Sequence, residues 1–108
     1  MPTVFEFDSY KVFIQSFLKS LPHQGHGQKS KIAHALQCQS AYLSQVLNGT
    51  ADLSLEQGER LATYLEFSDE ETEFLFLLIE LERAGSLGLK NRLRKKIEKI
   101  RNVPDSAF

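Results

Sequence analysis

Residues 29–49 read KSKIAHALQCQSAYLSQVLNG, and this stretch decides the expected fold. Apolar residues recur at helical spacing in its first half, at Ile32 and Leu36, and again in its second half, at Leu43 and Val46. A polar break lies between the two patterns. The stretch therefore predicts two short helices joined by a tight turn.

Ala33 adds a steric argument about how these two helices meet. When two helices cross at close range, the first needs a small residue where the second passes over it, and both need apolar residues in the shared angle. Ala33 supplies the small residue. The apolar positions are filled by Ile32, Leu36, Cys38, Leu43, Val46 and Leu47. We therefore expect a helix-turn-helix unit.

A first helix is expected before this unit. Asp8 precedes apolar residues that are spaced by three and four from Tyr10 to Leu21. It should act as the N-cap of an amphipathic helix that ends before Pro22. Residues 22–27, PHQGHG, combine a proline with two glycines and should form an exposed loop.

Helix start and stop signals continue after the unit. Gly49 should stop the second short helix, because glycine tolerates the left-handed conformation that closes helix C-termini. Ser54 and Gln57 have the Ser-x-x-Gln/Glu spacing in which the N-cap and the third residue exchange hydrogen bonds with each other's backbone amides. Ser68 and Glu71 repeat that spacing. Two further helices should begin there.

The C-terminal part of the sequence carries two more apolar patterns. Residues 74–79, FLFLLI, are apolar on all sides of a helix, which is typical of a central buried helix or of a subunit interface. A last helix, ending before Pro104, carries an apolar stripe and seven basic residues between Lys90 and Arg101. The stripe consists of Leu89, Leu93, Ile97 and Ile100. Three roles are open for the basic residues. They could form a solvated face or pair within the chain with the acidic helix that begins at Ser68. They could also contact phosphates, or they could contact a partner protein.

Composition supports one all-α domain of five or six helices. The chain has 108 residues, of which 42% are hydrophobic and 25% charged, an ordinary globular balance. Within residues 1–108 we expect residues 28–67 to form the helix-turn-helix core and residues 68–102 to form C-terminal helices that mediate dimerisation.

Apolar runs are too short to span a membrane. The acidic N-terminus is unlike a signal peptide, and the single cysteine suits a reducing compartment, so we expect a cytoplasmic protein.

Sequence features of enzymes and metal sites are weak. The sequence has no glycine-rich phosphate loop, paired metal-ligand motif or nucleophile elbow, so we expect neither catalysis nor a cofactor. His23, His26, His34 and Cys38 are too scattered for the closed four-ligand set of a structural zinc site. Cys38 is also expected at an apolar turn position, which does not favour a reactive thiolate.

The second short helix should present a polar outer face. Its outward positions are Gln39, Ser40, Ala41, Ser44, Gln45 and Asn48. Glutamine can pair with adenine through two hydrogen bonds, serine can donate or accept, and an alanine methyl can rest on a thymine methyl. This surface suits the reading of base edges in DNA, although the same residues would also suit an idle solvated surface.

Residues 29–65 resemble the lambda-repressor/Cro-type (XRE-like) helix-turn-helix domains. The resemblance rests on Ile32-Ala33, Leu36, Leu43, Val46, Asn48-Gly49, Leu55, Leu61-Ala62 and Leu65. The stretches 42–49, 53–54 and 67–71 also resemble a bacterial set of regulators that fuse this domain to a further C-terminal domain. The resemblance implies sequence-specific binding of double-stranded DNA and transcriptional regulation, with a recognition helix of about residues 40–48 in the major groove.

The family's residue roles can be placed on this sequence by position. The resemblance implies base contacts from Ser40, Ala41 and Gln45. It implies contacts with backbone phosphates from Lys29, Tyr42 and Asn48. The sequence departs from the family at Gln37, where these units commonly place glycine in the turn.

Charge is a second departure. The recognition helix has no charged residue, although phosphate neutralisation supplies much of the affinity for DNA. Residues 1–83 hold 6 basic and 12 acidic residues, a net charge of −6, whereas residues 84–108 hold 7 and 2, a net charge of +5. A monomer should therefore bind weakly, and we expect a homodimer formed through the C-terminal helices. The alternative function is a helical protein-interaction module that does not bind DNA.

Overall fold

The computed structural model describes residues 3–25 and 27–102, and these residues form an all-α fold without a strand. Six α-helices follow one another within these residues: α1 Tyr10–Ser20, α2 Gln28–Ala35, α3 Ser40–Leu47, α4 Leu55–Tyr64, α5 Asp69–Arg83 and α6 Leu87–Arg101. Two 3-10 turns precede α1 and α2, at Val4–Glu6 and Pro22–Gly25. The expected fold class is thus confirmed. The second turn occupies most of the expected loop, while His26 lies outside the described residues.

Side-chain caps fix where the helices begin. Both Ser-x-x-Gln/Glu patterns form capping boxes, at Ser54 for α4 and at Ser68 for α5. The expected N-cap of α1 was wrong by one residue. The hydroxyl of Ser9, not the carboxylate of Asp8, accepts hydrogen bonds from the first amides of α1. Asp8 instead forms an ion pair with Arg101, at 2.7 Å.

Three consecutive helices end in the same way. After α2, α3 and α4 the chain enters the left-handed region, at Gln37 (φ 59°), Gly49 (φ 90°) and Glu66 (φ 58°). In each case the next amide donates back to a carbonyl in the last turn of its helix, as in Schellman motifs. The stop at Gly49 is confirmed, and Gln37 adopts the left-handed conformation for which glycine is favoured. Two of the three motifs carry a side chain where glycine is favoured.

Helix α5 lies at the centre of the fold. It packs against α4, α6, α1 and the first 3-10 turn. Phe74, Leu75, Leu78 and Ile79 are fully buried, which confirms the expected central helix. Phe76 and Leu77 in the same run are only partly covered.

Helix α6 uses much of its apolar stripe inside the chain. Leu93 and Ile97 are 4% and 3% exposed. The expectation that the C-terminal helices dimerise through this stripe is therefore wrong for these two residues, because they are covered within the chain. Leu89, at the open end of the stripe, is 46% exposed. At the other end, the guanidinium of Arg101 donates to the carbonyls of Phe5 and Phe7. The C-terminal helix is therefore fastened to the N-terminal segment.

No helix within residues 3–25 and 27–102 combines the length and the apolar character needed to cross a bilayer.

Candidate nucleic-acid interface

Helices α2 and α3 pack together as the sequence predicted. Ala33 is 1% exposed and belongs to the same buried cluster as Leu36, Leu43 and Val46. The carbonyl of Ala33 also accepts a 3.0 Å hydrogen bond from the amide of Cys38, which closes the turn. These contacts hold α3 in a fixed orientation on α2.

Burial of one side of α3 leaves the opposite side free. With Leu43 and Val46 fully buried, helical geometry places five residues together on the outer side, which we call the α3 outer face. They are Ser40, Ala41, Ser44, Gln45 and Asn48. Four of them are exposed and Ser44 is partly exposed. Their outward orientation is confirmed, while contact with DNA stays a prediction.

Three candidate residues lie outside this face. Gln39 is exposed and occupies the N-cap position of α3, but its side chain makes no capping hydrogen bond. Lys29 lies in the first turn of α2 and is partly exposed. The hydroxyl of Tyr42 donates a 2.6 Å hydrogen bond to the carbonyl of Asp52. A phenol has one proton to donate, so Tyr42 holds the following loop and cannot at the same time donate that proton to a phosphate.

The loop after α3 is tied to α1 by three residues that sequence reasoning missed. The Tyr10 hydroxyl donates to Oδ1 of Asp52 and accepts from the amide of Leu53, both at 2.9 Å. The ammonium of Lys11 lies 3.1 Å from the same Asp52 oxygen and donates to the carbonyl of Ala51 at 2.7 Å. Burial is the main cause that raises the pKa of Tyr10, so its hydroxyl stays protonated as a donor.

Two more side chains complete the attachment of this loop. Gln15 of α1 donates its side-chain amide to the carbonyl of Leu47 at 2.8 Å, which satisfies a carbonyl at the end of α3. Arg83 of α5 donates to the carbonyl of Leu53 at 3.0 Å. Together with the contacts of Tyr10, Lys11 and Tyr42, these bonds form what we call the loop clamp. It fixes the C-terminal end of α3 to the rest of the fold.

The α3 outer face has few positive charges around it, as the sequence analysis expected. The face itself is uncharged, and Lys29 and Lys31 of α2 are the basic residues of the adjoining helix. Lys11 is committed to Asp52 and is 9% exposed. The main neighbours of α3 are α1 and α2, whereas the basic helix α6 packs chiefly on α5. The cationic groups of α6 therefore do not compensate for the neutral outer face through direct packing on α3.

Cys38 and the histidines form no metal-binding cluster in the part of the chain that the structure describes, since no three His, Cys, Asp or Glu side chains converge there. Partial burial raises the pKa of the Cys38 thiol. The thiolate form is thereby disfavoured, and we assign Cys38 to packing in the turn.

Comparison with known proteins gives no relative: no family model, curated protein or solved structure matches the chain.

Proposed function

We propose that this protein is a sequence-specific DNA-binding regulator of transcription that places α3 in the major groove of double-stranded DNA. The observation that carries the proposal is the α3 outer face, on which uncharged hydrogen-bonding side chains stand together on a helix whose other side is buried. A short rigid helix with such a face fits the groove and can read base edges. The resemblance of residues 29–65 to lambda-repressor/Cro-type domains supports the same function.

The loop clamp adds a physical argument. Base reading is favoured when the helix that carries the reading side chains is held in place before binding, because ordering it on the DNA would consume affinity. The clamp fixes the end of α3 through bonds from α1 and α5, so the position of Gln45 and Asn48 does not depend on contacts with α2 alone. A fixed helix presents its side chains to the base edges in one orientation, which favours discrimination between base pairs.

Electrostatics argue for two copies on the DNA. With a neutral outer face and few nearby cations, one copy should bind weakly. A dimer on a two-fold symmetric site contacts both half-sites at once, so its affinity exceeds that of either copy alone although each copy makes the same contacts. We therefore propose a homodimer formed through the C-terminal helices. Such a regulator would act in the cytoplasm of a bacterial cell.

Selection of bound sequences from a pool of random duplexes tests the proposal directly. We expect a preferred motif with two-fold symmetry. On that motif, Gln45→Ala should lower the affinity by about 1–3 kcal/mol, with little change on unrelated DNA. Asn91→Ala on α6 is a matched control, because it also removes an exposed amide without changing charge. An equal loss on selected and unrelated DNA would contradict base reading by Gln45.

A second candidate function is a protein-interaction module. The acidic balance of residues 1–83 favours it, since DNA repels such a surface. The two functions differ in their response to salt. Binding to DNA should weaken linearly on a log–log plot of affinity against salt concentration, whereas an apolar protein interface should hardly respond. No enrichment from the random pool, together with salt-insensitive partner binding, would favour this second candidate.

A further inference from the structure

A groove of mixed character runs between α5 and α6 on one side of the molecule. Its floor is apolar and consists of Phe76 and Leu77 from α5 and Ile100 from α6. All three side chains are partly exposed. The surface that they leave open is a site where a further apolar surface could pack.

The two walls of this groove carry opposite charges. The acidic wall consists of Glu73 and Glu80 on α5, and the basic wall consists of Lys96 and Lys99 on α6. All four residues are exposed. The ion pairs of residues 3–25 and 27–102 involve Lys11 and Arg101 as cations, so no ion pair joins the two walls of the groove.

Symmetry makes such a groove complementary to itself. A two-fold axis that runs along the groove exchanges left and right, and it leaves the position along the groove unchanged. The acidic wall of one copy then faces the basic wall of the other at the same level, and the two apolar floors meet. An axis across the groove would instead place acid on acid and base on base, which is unfavourable.

We propose that the groove between α5 and α6 is the homodimer interface of this protein, with the two-fold axis running along the groove. The occupant is therefore a second copy of the same chain. The inference rests on the proposed function for its purpose, since a DNA-binding dimer explains why two copies are needed. Its test needs no DNA, so its failure can be told from a failure of DNA binding.

Charge reversal on each wall tests the interface. One variant, Lys96→Glu with Lys99→Glu, makes both walls acidic. The other, Glu73→Lys with Glu80→Lys, makes both walls basic. We expect the wild-type chain to sediment as a dimer, and each variant alone to dimerise roughly tenfold or more weakly, because like charges then face each other. An equimolar mixture of the two variants should again form dimers that contain one copy of each.

A matched control lies on the outer side of α6. Arg94→Glu with Lys95→Glu changes the net charge by the same amount as the acidic-walled variant but lies outside the groove. It should sediment like the wild-type chain. Circular dichroism checks the folding of each variant. If one fails to fold, the chain with all four wall exchanges keeps the test open, since both its walls change sign and it should form a homodimer.

Three outcomes would overturn the inference. A wild-type chain that stays monomeric would leave the groove to a partner of different sequence. A dimer that is insensitive to both wall variants would place the second copy elsewhere on the molecule. Wall variants that weaken the dimer but do not pair with each other in the mixture would exclude the proposed two-fold axis. In each case the response of DNA affinity to Gln45→Ala remains a separate measurement.

Discussion

The Tyr10 hydroxyl at the start of α1 and the Asp52 carboxylate in the loop after α3 are joined by a 2.9 Å hydrogen bond across 42 positions of the sequence. The same carboxylate oxygen lies 3.1 Å from the Lys11 ammonium. These bonds tie α1 to the loop that follows α3, and so help to fix the orientation of the helix that we propose to read DNA. The loop clamp therefore supports the proposed function by fixing the helix that carries the outward residues.

Removing the carboxylate should loosen this connection. We expect Asp52→Ala to lower the free energy of unfolding by about 2 kcal/mol, because the Tyr10 hydroxyl loses its acceptor and the Lys11 ammonium loses its ion pair in a partly buried setting. Urea unfolding measures the change. Glu59→Ala on the exposed surface of α4 is the control, and it should stay within about 0.5 kcal/mol of the wild-type chain. If the two variants were equally stable, the Asp52 carboxylate would contribute nothing to the stability of the fold.

Stability should also depend on pH through Tyr10. Burial raises the pKa of its hydroxyl above the ordinary value of 10.0, so the folded chain retains the proton where the unfolded chain loses it. The resulting stability is fully present below about pH 10 and is lost as the pH rises further towards the raised pKa. We expect the free energy of unfolding to fall more steeply above pH 10 in the wild-type chain than in Tyr10→Phe. Parallel curves for the two chains would show that Tyr10 titrates normally.

The helix boundaries could be predicted because their signals are local. The serine caps of α4 and α5 and the glycine after α3 each act on backbone groups within a few residues. The α3 outer face followed from the same kind of signal, since its orientation is set once Leu43 and Val46 point inward. The sequence missed Ser9 as the cap of α1, because a serine and an aspartate stand side by side and both are good N-caps.

Long-range partners could not be predicted in this way. Asp52 lies in a loop with no periodic pattern, and nothing local connects it to Tyr10. The apolar stripe of α6 illustrates a second limit. Helical spacing shows that Leu93 and Ile97 share one face, but it does not show whether α5 or a second copy covers that face.

The turn after α2 offers a stabilising substitution. Gln37 is held at φ 59°, where a side chain costs energy that glycine does not. We expect Gln37→Gly to raise the free energy of unfolding by about 0.5–1 kcal/mol, after allowing for the greater freedom of glycine in the unfolded chain. The reverse change at Gly49, Gly49→Ala, should lower it by about 1 kcal/mol, although no atom lies within 4 Å of the added methyl. Thermal unfolding measures both variants, and effects of the same sign would contradict the role of backbone conformation.

Close packing of α4 on α5 can be tested through Gly58. A methyl group added there would lie 2.5 Å from Cδ1 of Ile79, whose side chain is fully buried. Alanine normally favours a helix over glycine by about 1 kcal/mol, but overpacking of a filled core costs about 1–3 kcal/mol. We therefore expect Gly58→Ala to lower the free energy of unfolding by about 1 kcal/mol.

The substitution Ile79→Val separates the two effects, because valine lacks the Cδ1 atom that the added methyl would meet. On its own it should lower the free energy of unfolding by about 1 kcal/mol, as the loss of one buried methyl group usually does. In that background Gly58→Ala should become neutral or stabilising, since the clash is gone while the preference of alanine for a helix remains. Chemical unfolding of the four chains gives the coupling energy between the two positions. Additive effects would mean that the cost of Gly58→Ala does not arise from contact with Cδ1 of Ile79, and this close approach would then not determine how α4 and α5 pack.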